Sequence, residues 1–432
     1  MIEKLYNAYL ASHSVTTDSR AITPGCLFFA FRGATYNGNA FVPQALEQGA
    51  ALCVTTDTRY ADDPRCVVVD DVLATLQQLA RRHRAAMTIP VVGITGTNGK
   101  TTTKELVHAV LARRYRTAAT AGNFNNHLGV PLTLLAIPAD AEMAIVEMGA
   151  NHPGEISDLC NIADPDCGLI TNVGRAHLEG FGSFEGVVHT KTELYRHLAV
   201  KHGLVFVNAD NATLMDQAAL LDPAPDHITY GRGAGADIRG TLVGCDPYLH
   251  FYFEVGDNVY NVHSRLLGAY NFDNAMAAVA VGLHFGVEPF DIKEAIEEYT
   301  PSNNRSQFKR TDRNTLYLDC YNANPSSMAA AVESFRQLKA DRKVAIIGGM
   351  HELGADERNE HKKLVDTLTA ANLEQCLLVG PEFDGIALPG NMLLFADTDA
   401  LRAHLQQKPL GGATVLVKGS NTNRLWTLEE IL

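Results

Sequence analysis

Apolar residues along the chain collect in short β-branched runs, and amphipathic stretches separate the runs. The run Pro90-Val91-Val92-Gly93-Ile94-Thr95 suits a parallel strand buried on both faces. After it, Leu106, Val107, Val110 and Leu111 recur at helical spacing, which predicts a helix over 102–114. Further buried strands are predicted at 144–147, 168–173 and 204–208, with helical stretches between them. This alternation predicts a doubly wound α/β domain around a parallel sheet. From about 228 to 263 the pattern becomes polar/apolar alternation, which predicts an antiparallel extension. A helix follows over 271–285. Residues 316–320, 344–347, 376–379 and 415–418 read as strands of another, Rossmann-like α/β domain. Near the start, strand signals at 26–31, 51–55 and 66–69 precede a polar helix over 72–84. Linker-like stretches at 87–90 and 299–304 divide the chain into three α/β domains: 1–86, 87–301 and 302–432.

Composition narrows the classes. The 432 residues are too many for one hydrophobic core. A net charge of −13 argues against nucleic-acid binding, which needs a basic footprint. No apolar run approaches the roughly 18 residues of a membrane span, so no membrane insertion is expected. The first residues, Met1-Ile2-Glu3-Lys4-Leu5-Tyr6, lack a signal-peptide core. Eight scattered cysteines without a Cys-x-x-Cys pair read as reduced thiols of a cytoplasmic protein.

The most specific chemistry lies in Gly96-Thr97-Asn98-Gly99-Lys100-Thr101-Thr102, between a predicted strand and a predicted helix. Glycines leading into a helix N-terminus leave N–H groups free to bind phosphate, and the helix dipole favours an anion there. Lys100 adds charge for the β/γ-phosphates of ATP, and the Thr101 hydroxyl suits Mg²⁺. The common loop has a glycine five residues before Gly99. Ile94 stands there, so this is a shorter variant.

That short loop resembles the one used by the Mur ligases and the related folylpolyglutamate synthetases, and the resemblance runs the length of the chain. Thr17-Asp18-Ser19-Arg20 resembles part of the family's uridine-nucleotide-binding domain. The stretch Ala121 to Asn126 looks like its substrate loop. Glu147 to His152, Ala176 to Ser183, Thr190 to Glu193, Tyr270-Asn271 with Asn274, Asp319 to Pro325 and Lys418-Gly419-Ser420 continue the likeness. The Tyr-Asn-Ala-Asn-Pro and Gly-Ala-Asn-His-Pro-Gly-Glu-Ile runs resemble the branch that adds D-alanyl-D-alanine to UDP-N-acetylmuramoyl-tripeptide. Three positions depart from that branch. Gly349 stands where aspartate is usual, Asn39 where histidine is common, and Asn421 where arginine is frequent.

The resemblance implies that ATP phosphorylates the tripeptide's terminal carboxylate and that the dipeptide amine then displaces phosphate. It makes Lys100, His177 and Lys191 catalytic. It places Thr101, Glu147, His177 and Lys191 around two Mg²⁺ ions, with Lys191 carbamylated by CO₂. It assigns Gly96–Thr102, Asn271, Asn274, Arg305 and Asp319 to ATP. Ser19, Arg20, Asn123, Asn125, Asn126, Tyr321, Asn322 and Asn324 would contact the two other substrates, UDP-MurNAc-tripeptide and D-Ala-D-Ala. A monomer is implied. Without the resemblance, Glu147 also fits an ordinary strand-end acid, His177 a loop histidine and Lys191 a solvated helix face. Asn271 and Asn274 fit helix capping, and Tyr321–Asn324 an Asn/Pro turn. Two other functions stay open: another amide ligase of the superfamily, and a nucleotide switch without ligation.

Overall fold

The computed structural model describes residues 1–12, 14–33, 35–301 and 305–432, so the end of the second linker, 302–304, lies outside the described residues. Three sheets organise the chain. The first has four parallel strands in the order Val15–Thr16, Leu27–Phe29, Leu52–Thr55, Cys66–Val68. Helices Ile2–Ser12 and Val72–Arg84 pack together beside it. The second of these begins at Asp71, whose carboxylate accepts from the Leu73 and Ala74 N–H groups. Val72, Leu76, Leu79 and Ala80 recur on one buried face, and this face shares a core with the next domain.

The central sheet has nine strands in the order Asn258–Leu267, Tyr248–Val255, Ile238–Cys245, Asp226–Gly231, Leu204–Asn208, Cys167–Ile170, Val91–Thr95, Met143–Glu147, Thr117–Ala119. The apolar runs are parallel and buried, as their composition requires. The antiparallel extension begins at Ile238 and not near 228. Asp226–Gly231 alternates in sequence, yet it pairs in parallel with Leu204–Asn208, so neighbouring strands and not local pattern decide its direction. Val91–Thr95 lies between Cys167–Ile170 and Met143–Glu147. The chain winds outward from it in both directions, which opens a crevice at the strands' carboxyl ends. Helix Asn271–His284 is apolar almost all round and packs on helix Lys100–Leu111, which leads out of the phosphate loop.

The third sheet runs Gln307–Arg310, Thr315–Asp319, Thr414–Lys418, Lys343–Gly348, Gln375–Val379, Met392–Phe395, parallel except at its first strand. The last strand of the chain inserts between the second and third in sequence, so a second crevice opens at the ends of Thr315–Asp319 and Thr414–Lys418. Sequence periodicity missed Ile2–Ser12 and the edge strands Thr117–Ala119, Gln307–Arg310 and Met392–Phe395. Edge strands are short and half-exposed, so they carry little apolar signal.

Arg84 ties the first domain to the second. Its guanidinium is buried, donates to the Ala163 and Asp164 carbonyls, and pairs with Asp166 at 2.8 Å. Arg84→Ala removes the Ala163 carbonyl's donor and leaves Lys201 as the cation on the Asp164 carbonyl and Asp166. It should destabilise the chain by about 2–3 kcal/mol, measurable as a lower urea midpoint at unchanged slope.

Candidate active site

The phosphate loop is held from below by the loop after Cys167–Ile170. The Thr97 N–H donates to Asn172 O at 2.9 Å and the Asn98 N–H to Asn172 Oδ1 at 3.0 Å. Thr171 Oγ1 and Asn172 Nδ2 donate to Asn98 O at 2.6 and 3.0 Å. Gly96 (φ +141°) and Gly99 (φ +78°) adopt backbone conformations that disfavour side chains. A Cβ at Gly96 would overlap Thr171 Oγ1, and one at Gly99 would overlap the Asn274 carboxamide. Asn274 is itself fixed, accepting from Thr103 Oγ1 and donating to Asn271 Oδ1, while Asn271 donates to Leu267 O. The two asparagines therefore shape the loop from the side of helix Asn271–His284.

Lys100 folds back over the loop and donates to the Gly96 and Thr97 carbonyls at 2.8 and 3.0 Å. Burial lowers its pKa, Arg305 adds to the lowering, and Glu147 opposes it. An arriving phosphate would replace those two carbonyls.

Glu147 ends its strand with 1 % exposure. Its Oε1 accepts from Thr101 Oγ1 at 3.2 Å and Asn125 Nδ2 at 2.7 Å, while Oε2 is buried with no partner among the described residues. A carboxylate oxygen without a donor, beside a hydroxyl of the phosphate loop, is a hard-oxygen pair that fits Mg²⁺. Elsewhere the donor set is less complete: among the described residues, no three His, Cys, Asp or Glu side chains converge.

His177 sits in the left-handed region (φ +50°), and its Nδ1 meets the Glu352 carboxylate of the third domain. Burial lowers its pKa, and Glu352 opposes the shift. Lys191 ends helix Phe184–Lys191 at 2 % exposure, which corrects the expectation of a solvated helix face. The chain breaks after it into a second helix, Glu193–Lys201. Its ammonium donates to Ala150 O at 3.2 Å and lies 5.3 Å from the Phe181 ring centroid. Burial, with Lys100 nearby, pushes the Lys191 pKa well below the usual lysine value.

Most of these groups open into one cavity of about 920 Å³ lined by the three domains. Thr97–Thr102, Asn125, Asn126, Glu147, His177, Asn271, Asn274, Arg305, Asp319, Tyr321 and Asn322 line it. Arg305 stacks over Tyr321, with its guanidinium carbon 3.6 Å from the ring centroid. Asp319 pairs with the buried Lys418 at 2.6 Å. Gly96 and Lys191 lie behind the wall. Asn324 does not line the cavity either: it caps helix Pro325–Gln337 and donates to Asn98 Oδ1 at 2.8 Å. Ser19, Arg20 and Asn123 are not in the wall. The Arg20 side chain is 87 % exposed and held by its own Asp18. Gln77 and Arg81, on helix Val72–Arg84, represent the first domain instead, along with Glu155 and Asp158 from the second. Sequence reasoning gives none of these four, nor Asn172, a role: Glu155 lies inside the Gly-Ala-Asn-His-Pro-Gly-Glu-Ile run but is not singled out by it, and the others sit on ordinary helices and loops with no motif of their own.

A phosphate loop at a sheet switch point, facing a third domain that carries cations and amides across a shared cavity, is the layout of a multidomain P-loop nucleotide-binding enzyme. Comparison with known proteins specifies it further. Residues 11–84, 94–282 and 304–421 match, in turn, the Mur ligase family catalytic domain, the Mur ligase middle domain and the Mur ligase glutamate ligase domain. The chain belongs to the Mur ligase family. It is 33% identical to the UDP-N-acetylmuramoyl-tripeptide–D-alanyl-D-alanine ligase of Escherichia coli over 99% of this chain and 95% of that protein. The ligase of the same name from Bacillus subtilis is 35% identical over 85% of this chain and 80% of its own. The crystal structure of MurF from Acinetobacter baumannii superposes with a TM-score of 0.87 at 29% identity, covering 96% of this chain and 92% of that one. MurF ligase from Thermotoga maritima in complex with ADP gives 0.84 at 27% identity, covering 97% and 96%.

Gly99→Ala should weaken ADP binding more than tenfold by titration calorimetry, because the new methyl collides with Asn274 and strains the loop.

Proposed function

We propose that this chain joins D-alanyl-D-alanine to the terminal carboxylate of UDP-N-acetylmuramoyl-tripeptide, using ATP and releasing ADP and phosphate. The observation that carries the reading is the single cavity in which the phosphate loop, the buried Glu147 and the third-domain face of Arg305, Tyr321 and Asn322 meet. The relatives named above, matched along nearly the whole chain, support the choice of substrates.

Amide formation from a carboxylate and an amine requires a better leaving group than hydroxide. Transfer of the γ-phosphoryl group to a carboxylate oxygen supplies it. The amine nitrogen then attacks the acyl carbon, the carbon–nitrogen bond forms, and phosphate leaves with the acyl oxygen. Both partners of the first step are anionic, so the site must offer positive charge in a dry setting. The loop N–H groups and Lys100 hold the phosphates. Arg305, held flat on Tyr321, faces the same cavity from across the domain boundary. Thr101 and Glu147 would hold Mg²⁺, which supplies further charge neutralisation at the phosphates. Tyr321 and Asn322 offer hydrogen bonds to the amine substrate, and Asn125 and Asn126 to the tripeptide. Gln77 and Arg81 stand where the nucleotide-sugar portion would extend toward the first domain.

A carbamate at Lys191 belongs to the same reading. CO₂ adds to a neutral amine, and burial favours that form of Lys191. The carbamate would give the enclosed lysine an anionic oxygen, which with His177 would hold a second Mg²⁺. The protein is further read as a cytoplasmic monomer. Its eight free cysteines support the compartment, and among the described residues no helix is long and apolar enough to cross a membrane.

Incubation with ATP, Mg²⁺, D-Ala-D-Ala and each UDP-muramoyl-peptide, followed by mass spectrometry, should give condensed product only with a tripeptide and dipeptide together. Phosphate release without both acceptors would support a nucleotide switch instead. Lys191→Ala should lower turnover by more than about 10³-fold, with no rescue by excess bicarbonate. Wild-type rates in that variant would remove Lys191 from the mechanism.

A further inference from the structure

The third domain reaches His177 through one loop, Gly349 to Leu353, which follows strand Lys343–Gly348. Glu352 on this loop is in the left-handed region (φ +61°) and presents its carboxylate to His177 Nδ1. Its carbonyl also accepts from the Glu179 N–H at 3.4 Å. A residue held in that conformation needs its loop fixed from outside. Three anchors do so. The Gly349 N–H donates to Val379 O at 3.0 Å, the Met350 N–H donates to His361 Nε2 at 2.9 Å, and His351 Nδ1 lies 3.3 Å from Glu382 Oε1.

The third anchor is unusual. Glu382 follows the neighbouring strand, Gln375–Val379, and its carboxylate occupies the space in front of both Gly349 and Gly380. A Cβ on either glycine would overlap Oε2. That oxygen is buried and has no hydrogen-bond partner among the described residues. A packing role alone would not favour a carboxylate there, because an unpaired buried oxygen is destabilising. Gly380 has φ +124° and needs glycine on backbone grounds, whereas Gly349 has no positive φ. At Gly349 the three atoms nearest to an added Cβ all belong to the Glu382 side chain.

We propose that Glu382 is a positioning residue for the ligation: its carboxylate fills the place left free by Gly349 and braces, through His351, the loop that sets Glu352 on His177. The proposal rests on the ligase reading above, and wild-type product formation in the same assay tests that reading separately.

The test is a compensation cycle in the full-length protein with ATP, UDP-MurNAc-tripeptide and D-Ala-D-Ala. Glu382→Ala should lower kcat by roughly tenfold or more, with KM for ATP and dipeptide changed less than about threefold, because a misplaced loop affects the chemical step and not ground-state binding. Gly349→Asp should also lower kcat, since two carboxylates then compete for one space. Gly349→Asp combined with Glu382→Ala should recover most of the lost rate. The isosteric Glu382→Gln keeps the packing and should still lower kcat, which covers the case of poor folding in the alanine variant. Wild-type kcat in Glu382→Gln would overturn the proposal. So would a double variant no faster than Glu382→Ala, or a loss confined to KM for the dipeptide.

Discussion

The site depends on the attachment of the phosphate loop to Asn172. A loop that binds anions through its own N–H groups has few internal bonds, so something outside it must hold its shape. Here the side chain and carbonyl of Asn172, with the Thr171 hydroxyl, take up the Thr97 and Asn98 backbone groups. These residues lie at the end of Cys167–Ile170, the neighbour of Val91–Thr95 at the point where strand order reverses. The sheet topology thus fixes the loop, and the loop fixes where Lys100 and Thr101 emerge.

Charge is the second constraint. The Lys100 and Lys191 amines are both buried, which disfavours their charged forms; Glu147 opposes this at Lys100, and Glu155 and Glu193 oppose it at Lys191. Desolvation of this kind destabilises the protein without its ligands. It makes the site more attractive for phosphates and carboxylates, whose binding neutralises it. Such a site works best when water is excluded. The cavity requires the third domain for that exclusion.

The third domain engages the second through a few polar contacts around the loop that follows Cys167–Ile170. Asn324 bonds Asn98, Ser326 accepts from the Arg175 N–H, and Glu352 meets His177. Tyr270 bonds Ser306 and Tyr317 on the other side. Apolar packing joins them too, with Leu267 in the third domain's core and Tyr248 against Phe308. The third domain's contacts fall on Asn98 of the phosphate loop and on His177, so its position and the shape of the site are coupled.

Much of this was legible in the sequence, for a physical reason. Buried parallel strands need continuous apolar runs, and phosphate binding needs glycine, lysine and a hydroxyl at fixed spacing. Composition and spacing therefore determined the α/β architecture, the phosphate loop and the strand ending in Glu147. Edge strands and the direction of Asp226–Gly231 depend on which neighbour they pair with, so local pattern left them open. The same holds for the side chains. Only the tertiary structure buried Lys191, turned Arg20 onto Asp18 and away from the cavity, and brought in Gln77 and Arg81. Only it showed that the short loop beginning at Gly96 is shaped by Thr171, Asn172 and Asn274, residues about 75 to 180 positions away along the chain, a separation that sequence spacing does not register.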